Sequence, residues 1–166
     1  MRAYFFVNNL YIRELQWGLQ SLHCLGELHN KYLPDSGEAY ETLRDWEQNH
    51  KTVIFYGAGN AAGLNDVYNK FCDIDKFNGL LYPFAKFHED EESLGGCITS
   101  VGIVLPAKVY ELSRLAREAK CDAAQYLREN GTIGTWSASY TTEEGIIEVF
   151  RVDVVLADLL NEYRLA

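Results

Sequence analysis

The chain has 166 residues and a mass of 18.9 kDa, which fits one domain with an appended element and leaves too little length for two full domains. Hydrophobic residues make up 48% of the chain and charged residues 23%, so it can bury a core and does not have the composition of a disordered chain. With 24 acidic and 15 basic residues the net charge is -9, which disfavours binding to bulk nucleic acid. No apolar run approaches the roughly 18 residues that span a bilayer, so we expect a cytoplasmic protein with no membrane partner.

The first half of the sequence alternates between aromatic or β-branched runs and stretches with helical spacing. A strand is predicted at residues 4–7 and a helix at about 12–32, where leucines recur along one stripe: Leu15, Leu19, Leu22, Leu25 and Leu28. A connection with a short helix around residues 40–46 follows. A second strand at residues 52–56 then leads through a glycine turn into a helix that includes residues 64–71.

The second half begins with two further predicted strands. The strand at residues 80–87 contains Pro83, which favours an edge position or a bend. A strand at residues 97–105 leads into a long helix that starts at Pro106 and ends at Gly131. Two more strands, at 132–140 and 146–150, precede a last helix that Asp153 is placed to cap and that runs through Arg164.

This order predicts an α/β fold. We expect a three-layer α/β/α domain over residues 1–131, with a mixed sheet of about four core strands and helices on both faces. Residues 132–166 are predicted to be a C-terminal extension made of a β-hairpin and a helix. The extension should pack on the domain or on a second subunit, because it holds too many apolar side chains to remain solvated: Trp136, Tyr140, Ile146, Ile147, Val149 and Phe150.

Polar side chains cluster near the end of the first predicted strand. Gln16, Gln20 and His23 have the spacing of one helical face, and Asn9 follows the strand directly. Strand ends are where open α/β sheets commonly bind ligands. In the alternative interpretation, Gln16 and Gln20 face solvent while His23 is a hydrogen-bonded histidine near the core.

A glycine turn follows the second strand. Gly57, Gly59 and Gly63 lie between a strand and a helix, so backbone amides there are candidates for binding a phosphate. The steric interpretation is that a tight turn requires glycine whether or not a ligand binds. Asn60 is the predicted N-cap in both cases.

Residues 89–92 form an acidic run that contains Asp90, followed in the next strand by Thr99. Carboxylates of this kind can bind a hard cation, but a solvated loop is the simpler interpretation and we expect no metal. The cysteines have no paired metal or redox spacing and are predicted to be free thiols: Cys24, Cys72, Cys97 and Cys121. No serine-nucleophile or zinc-protease motif is present, and no cofactor is expected.

Two tryptophans are candidates for stacking on a base. Trp17 lies beside Gln16, and Trp136 with Tyr140 lies in the C-terminal extension. Packing in the core or in an interface is the alternative interpretation for all three.

Several of these segments occur in the order found in one enzyme family. The N-terminal strand followed by GLQSLHC at Gly18 to Cys24, the segment TVIFYGAGN, and FHEDEESLGGCITSVGIVLP together resemble type 2 peptidyl-tRNA hydrolases. The resemblance covers about residues 4–118 and would make the chain a divergent, phage-type member of that family. It implies a compact sheet covered by helices on both faces and a homodimer.

The resemblance also assigns residues. Gln20 and His23 match the family's first-helix glutamine and histidine, Thr99 matches its strand threonine, and Asp90 or Glu91 falls in its acidic loop. These would be the catalytic residues of a hydrolase. The family's lysine is Gln16 here, and the acidic residue after the first strand is Asn9. A neutral glutamine cannot supply the positive charge that a lysine offers to a phosphate or an oxyanion.

Three functions follow from these observations. The favoured one is non-catalytic binding or sequestration of a small nucleotide-type ligand, for which a host signalling nucleotide is one candidate. The ligand-binding residues would be Asn9, Gln16, Trp17, Gln20, His23, Gly57, Gly59, Asn60, Asp90 and Thr99. The second is an active peptidyl-tRNA hydrolase, with tRNA as its partner, and the third is an inhibitor that binds another protein through its acidic surface.

Overall fold

The computed structural model describes residues 1–10, 13–34, 36–135 and 137–165, and it divides into two compact units. The first unit is Met1–Leu105 together with the last strand, and the second is Pro106–Tyr163. The sequence-based division falls at residue 131 instead. The structural division falls earlier because the helices after Pro106 pack within the second unit, against its hairpin and its last helix.

The first unit contains a sheet with helices between its strands. Its strands are β1 (Arg2–Val7), β2 (Val53–Gly57), β3 (Phe84–His88), β4 (Ile98–Leu105) and β8 (Arg164–Leu165). Its helices are α1 (Glu14–Tyr32), α2 (Glu38–Asp45, continued by a π-helical turn at Trp46–His50), α3 (Ala61–Asn78) and the short α4 (Glu91–Leu94). The four predicted core strands are therefore present, and the α/β class is confirmed.

The sheet is mixed, with strand order β3-β4-β1-β2-β8. β1 runs parallel to β2 and antiparallel to β4, and Phe5 lies between Phe55 and Gly102. β3 pairs antiparallel with β4 and forms one edge, as Pro83 predicts. β3 begins at Phe84 rather than at residue 80, because the proline that precedes it cannot donate a hydrogen bond to the ladder.

Helices cover both faces of this sheet. Alternate residues of β1 point to opposite faces, so Ala3 and Phe5 pack with α1 and α2. Phe6 faces the other side and packs edge-on against Phe71 of α3, at 5.9 Å between ring centroids. Strands buried on both faces explain the continuous apolar runs, and the arrangement is the predicted three-layer architecture.

The leucine stripe of α1 does not face the core as a whole. The buried residues of α1 are Gln20, Ser21, Cys24 and Leu28, whereas Leu15, Leu19 and Leu22 are exposed. Ser100 Oγ donates to the Gln20 carbonyl at 2.8 Å, and Cys24 Sγ lies 3.5 Å from the Ala85 carbonyl. Hydrogen bonds to the sheet thus stabilise a partly polar buried face on this helix.

The second unit contains α5 (Ala107–Glu118), α6 (Ala123–Asn130) and α7 (Arg151–Glu162), with a sheet of β5 (Gly131–Ile133), β6 (Ser137–Thr142) and β7 (Gly145–Phe150). The predicted long helix is therefore two helices. The chain turns at Lys120, which has φ +57°, and Asp122 caps α6 by accepting from the Gln125 amide at 2.6 Å. The predicted first extension strand is likewise two strands.

The last helix begins at Arg151 with Phe150 as its N-cap, so the prediction that Asp153 is the N-cap is wrong by three residues. Asp153 instead lies in the first turn, where its Oδ2 accepts from the Phe150 amide at 2.8 Å. Lys108 Nζ lies 2.6 Å from the same carboxylate oxygen, which links α5 to α7. Trp136 lies outside the described residues, so its predicted packing or stacking stays a prediction. None of the helices in the described ranges is long and apolar enough to cross a bilayer.

Candidate functional site

Four strand ends of the first unit meet at one edge of its sheet. Val7, the last residue of β1, lies opposite Gly57 at the end of β2 and opposite Ser100 near the start of β4. His88 at the end of β3 pairs with Ile98. The residues that follow β1, β2 and β3 therefore lie close to those that begin β4. We call this cluster of residues at the strand ends the sheet-edge site; the edge meant here is the line of strand ends, not an outer strand.

A buried glutamine connects three elements at this edge. Gln20 of α1 is only 4% exposed, and its side-chain Oε1 accepts from Thr99 Oγ1 at 2.6 Å. Its Nε2 donates to Glu89 Oε1 at 2.8 Å. Both ends of the carboxamide are thus bonded, which fixes the orientation of the side chain and joins α1 to β4 and to the end of β3.

The loop after β1 is held by Asn8 rather than by Asn9. Asn8 is buried, its Nδ2 donates to the Ile98 carbonyl at 3.2 Å, and its Oδ1 accepts from the Leu10 amide at 3.0 Å. Asn9 is exposed, and its amide donates to the Gly59 carbonyl at 2.6 Å. The predicted ligand-binding Asn9 therefore lies over the glycine turn, positioned by its buried neighbour.

Steric reasons explain two of the glycines of this turn, whether or not a ligand binds there. Gly59 has φ +78°, a conformation that favours glycine, and a Cβ on Gly63 would lie 2.0 Å from the Ala58 carbonyl oxygen. Asn60 caps α3 as predicted, because its Oδ1 accepts from the amides of Ala62 at 3.0 Å and Gly63 at 3.2 Å. These two amides already have an acceptor, which weakens the case for a phosphate at this helix terminus.

The acidic loop contributes a residue that the sequence did not single out. Glu89 contacts Gln20, whereas Asp90 is exposed and caps α4, its Oδ1 accepting from the Ser93 amide at 2.6 Å. That hydrogen bond from Ser93 holds the pKa of Asp90 below its usual value. Glu89 directly follows β3, and this position at a strand end is the sequence feature that could have identified it as a site residue.

The remaining predicted residues lie on the side of α1. The His23 ring is exposed and stacks on Phe87 of β3, with 4.7 Å between centroids and 17° between planes. Gln16 is exposed, and within the described residues its side chain bonds to no other predicted site residue. Trp17 is half-buried one residue further along α1. The alternative interpretation, with Gln20 facing solvent and His23 near the core, is therefore wrong for both residues: Gln20 is buried and His23 faces solvent.

The chemistry available at the sheet-edge site is hydrogen bonding. Thr99 is fully buried and donates its proton to a neutral amide oxygen, which has too little basicity to activate a hydroxyl nucleophile. Burial raises the pKa of Cys24, the nearby α1 thiol, to about 12, so it stays protonated at neutral pH. Among the described residues, no three His, Cys, Asp or Glu side chains are grouped to hold a metal ion, and all four cysteines are free.

Two cavities lie in the second unit instead. One of about 550 Å³ is lined by residues that include Cys121, Asp158 and Asn161, and one of about 220 Å³ has a mainly apolar lining that includes Leu127 and Val149. Neither is lined by a predicted site residue. The interest of the sheet-edge site rests on its hydrogen-bonding groups.

Comparison with known proteins does not identify the chain: no protein-family model matches it, and no curated protein is significantly similar.

Proposed function

We propose that the sheet-edge site binds a small nucleotide-type ligand without turning it over. The observation that carries the proposal is the doubly bonded carboxamide of Gln20, held between Thr99 and Glu89. A buried and fully paired polar chain is a rigid support for neighbouring groups. Around it lie exposed hydrogen-bonding side chains at the strand ends and on the side of α1, namely Asn9, Gln16 and His23.

The groups at the sheet-edge site are better suited to bind the base of a nucleotide than its phosphate. Asn60 already occupies two amides at the start of α3, and Gln16 brings no positive charge. Glu89 and Asp90 add negative charge beside the site and would repel a polyphosphate. Carboxamide and carboxylate groups instead complement the donors and acceptors on base edges. The negative charge and the hydrogen-bonding groups of the site together favour recognition of the nucleoside, with any phosphate directed to solvent.

A binding role also agrees with the lack of an activated nucleophile at the described residues of the sheet-edge site. The Thr99 hydroxyl is buried and faces an amide, and the His23 ring packs on Phe87 with no carboxylate placed to orient it among the described residues. General base catalysis needs a base within hydrogen-bond reach of the reacting group. Binding without hydrolysis is therefore the simpler function for this geometry.

The test uses thermal shift and calorimetry with the four common ribonucleosides and their 5′-monophosphates. A ligand that binds the folded state raises the melting temperature, and chromatography should recover it unchanged. His23→Ala should weaken binding by about 1 kcal/mol, or roughly fivefold in Kd, because an exposed hydrogen bond is lost without unfolding. His50→Ala is the matched control, since His50 is an exposed histidine at the end of the π-helical turn, bonded to Asp45.

Binding that is equally strong in the His23→Ala and wild-type proteins would place the ligand elsewhere. If none of the eight probes shifts the melting temperature even at millimolar concentration, the nucleotide proposal is wrong.

Peptidyl-tRNA hydrolysis is the second candidate, favoured by one observation. The hydrogen bond from Thr99 to Gln20 joins two positions that the family resemblance assigns to the site. Incubating the wild-type protein with peptidyl-tRNA and measuring released peptide separates the two functions. Cleavage that His23→Ala abolishes and His50→Ala retains would replace ligand sequestration with hydrolysis.

A further inference from the structure

The smaller cavity of the second unit lies between its β-hairpin and two of its helices, α6 and α7. Leu127 of α6, Ala138 of β6 and Val149 of β7 are buried and form an apolar floor. We call this cavity of about 220 Å³ the hairpin pocket. An apolar floor offers water few hydrogen-bonding partners, so an apolar group that replaces the water is favoured there.

Two arginines lie at the rim of the hairpin pocket. Arg128 of α6 and Arg151 at the start of α7 both belong to its lining, and both are exposed. Among the described residues, neither guanidinium makes an ion pair or a hydrogen bond. No Asp or Glu belongs to the described lining, although the chain holds 24 acidic and only 15 basic residues. The charge of this rim is therefore opposite to that of the chain as a whole.

Two carboxylates belong to the same segment as the last lining residues of the hairpin pocket. Asp153 is buried, and Lys108 Nζ lies 2.6 Å from one of its oxygens, so its charge is already compensated. Glu148 precedes Val149 in β7, and successive side chains of a strand point to opposite faces. The Glu148 carboxylate accepts from Ser137 Oγ at 2.7 Å on that other face. An anion in the pocket would thus meet the arginines without direct competition from these two groups.

The two arginines are not equivalent. Arg128 also borders the larger cavity, whose lining includes Asp122, Asp158 and Glu162. Those carboxylates attract its guanidinium and reduce its attraction for an anion in the hairpin pocket. Arg151 lines the hairpin pocket but not the larger cavity. We therefore expect Arg151 to contribute more to anion binding than Arg128.

We propose that the hairpin pocket binds a small organic acid, with its apolar body on the floor and its carboxylate at Arg151 and Arg128. A guanidinium presents a planar fork of N–H donors that matches the two oxygens of a carboxylate. Inorganic phosphate lacks the apolar body that the floor requires. The volume of about 220 Å³ is below the roughly 300 to 1,000 Å³ of pockets that hold drug-sized ligands, so the acid is a small one such as phenylacetate or hexanoate.

The hairpin pocket belongs wholly to the second unit, whereas the sheet-edge site belongs to the first. The organic-acid proposal therefore does not rest on the nucleotide proposal, and either can fail without the other.

Protein-observed NMR of the isotope-labelled full chain, titrated with phenylacetate, tests the proposal. We expect a Kd on the order of 0.1 to 1 mM and chemical-shift changes centred on Leu127, Ala138 and Val149. Phenylethanol has a similar body without the charge, and phenylethylamine carries the opposite charge. The alcohol should bind at least about tenfold more weakly than the acid, and neither the amine nor inorganic phosphate should bind saturably.

Arg151→Gln should raise the Kd for phenylacetate at least about fivefold, and Arg128→Gln should raise it by a smaller factor, because each removes a positive charge from the rim. Arg44→Gln is the matched control. Arg44 is an exposed arginine of α2 in the first unit, so its replacement changes the net charge equally and leaves the pocket intact.

Ala138→Leu tests the apolar floor without changing the charge. The larger side chain should occupy the pocket and abolish binding of both the acid and the alcohol. The NMR spectrum shows whether this variant is folded, and Val154→Phe replaces it if it is not, because Val154 is a half-buried lining residue.

Wild-type protein that shows no saturable shift changes with phenylacetate or hexanoate, well above the expected Kd, overturns the proposal. So does an alcohol that binds as tightly as the acid, or an Arg151→Gln variant that binds phenylacetate no more weakly than Arg44→Gln. Shift changes confined to the first unit would place the acid elsewhere and would also contradict it.

Discussion

Gln20 shows how a polar side chain is accommodated in a largely apolar core. Removing an amide from water is unfavourable unless its donors and acceptors find partners. Here the side chain bonds Thr99 and Glu89, while its carbonyl accepts from Ser100. The three bonds offset the loss of hydration and position α1 on the sheet through specific atoms as well as through packing.

The hydroxyl of Thr99 is therefore expected to matter for stability. Thr99→Val keeps the shape of the side chain but leaves Gln20 Oε1 buried without a donor, which should lower the free energy of unfolding by about 1–3 kcal/mol. Thr99→Ser retains the hydroxyl and loses one methyl, so it should cost less than the valine variant, about 1 kcal/mol. Urea unfolding followed by circular dichroism measures both, and a valine variant as stable as wild type would show that the hydrogen bond is dispensable.

Residue spacing predicts some of the site and misses the rest. Gln20 and Thr99 were identifiable because one lies on a polar helical face and the other in a strand matching the family resemblance. Asn8 and Glu89 were not, although each is the buried or bonded neighbour of a predicted residue, Asn9 or Asp90. Which of two adjacent polar residues turns inward depends on the exact strand end, and sequence patterns locate strand ends only to within a few residues.

At the scale of elements, helix termini account for the main departures from the predicted order. The predicted helix at residues 106–131 is interrupted because Asp122 starts a new helix by capping the Gln125 amide. An Asp followed three residues later by Gln is a recognisable start signal, but continuous apolar spacing concealed it. The leucine stripe of α1 was recognisable from sequence, whereas the exposure of its first three leucines was not, because periodicity defines a face without stating what covers it.

Asp158, which binds the start of α6, makes a pH-dependent contribution to the stability of the protein. Asp158 Oδ1 accepts from the Ala123 amide at 2.7 Å, in a region that already holds Asp122 and Glu162. Burial, and then repulsion from these two carboxylates, raises the pKa of Asp158 above its ordinary value of 3.8. Because the folded-state pKa of Asp158 is raised, its contribution to the free energy of unfolding is most favourable below the unfolded-state pKa. This contribution is lost as the pH rises through the folded-state pKa.

Asp158→Asn should therefore stabilise the protein relative to wild type at pH 7, since the amide can still accept from Ala123 and carries no charge. The advantage should shrink as the pH falls below about 4, where the wild-type carboxyl is protonated in both states. Urea midpoints of the two proteins across this range test the sign. Asp90→Asn is the comparison of opposite sign, because the pKa of that exposed cap is lowered. An Asp158→Asn variant that is less stable at pH 7 than at pH 4, relative to wild type, would contradict the argument.

At the scale of the whole molecule, most of the C-terminal extension, as far as Tyr163, belongs to the compact second unit. α7 packs on α5, where Lys108 Nζ lies 2.6 Å from the buried carboxylate of Asp153. Ser113 Oγ donates to Asn161 Oδ1 at 2.8 Å, a second link between the same helices. The apolar residues of 132–166 led to the prediction that this segment packs, and of these Tyr140 and Val149 are buried whereas Ile146 is exposed. The sequence alone did not show that the helices before Gly131 pack with it. Such long-range grouping depends on tertiary contacts that local patterns do not contain.

Cutting the chain after Gly131 should consequently expose the apolar faces of α5 and α6, since it removes the hairpin and α7. Val149, Leu156 and Leu160 are among the buried residues that would be lost with them. We expect the 1–131 fragment to bind a hydrophobic dye strongly, to melt at lower temperature and to aggregate. A chain ending at Tyr163 is the control, because it keeps the whole second unit and removes only β8 and the terminal residue. A 1–131 fragment as soluble and stable as the control would show that these residues are a dispensable tail.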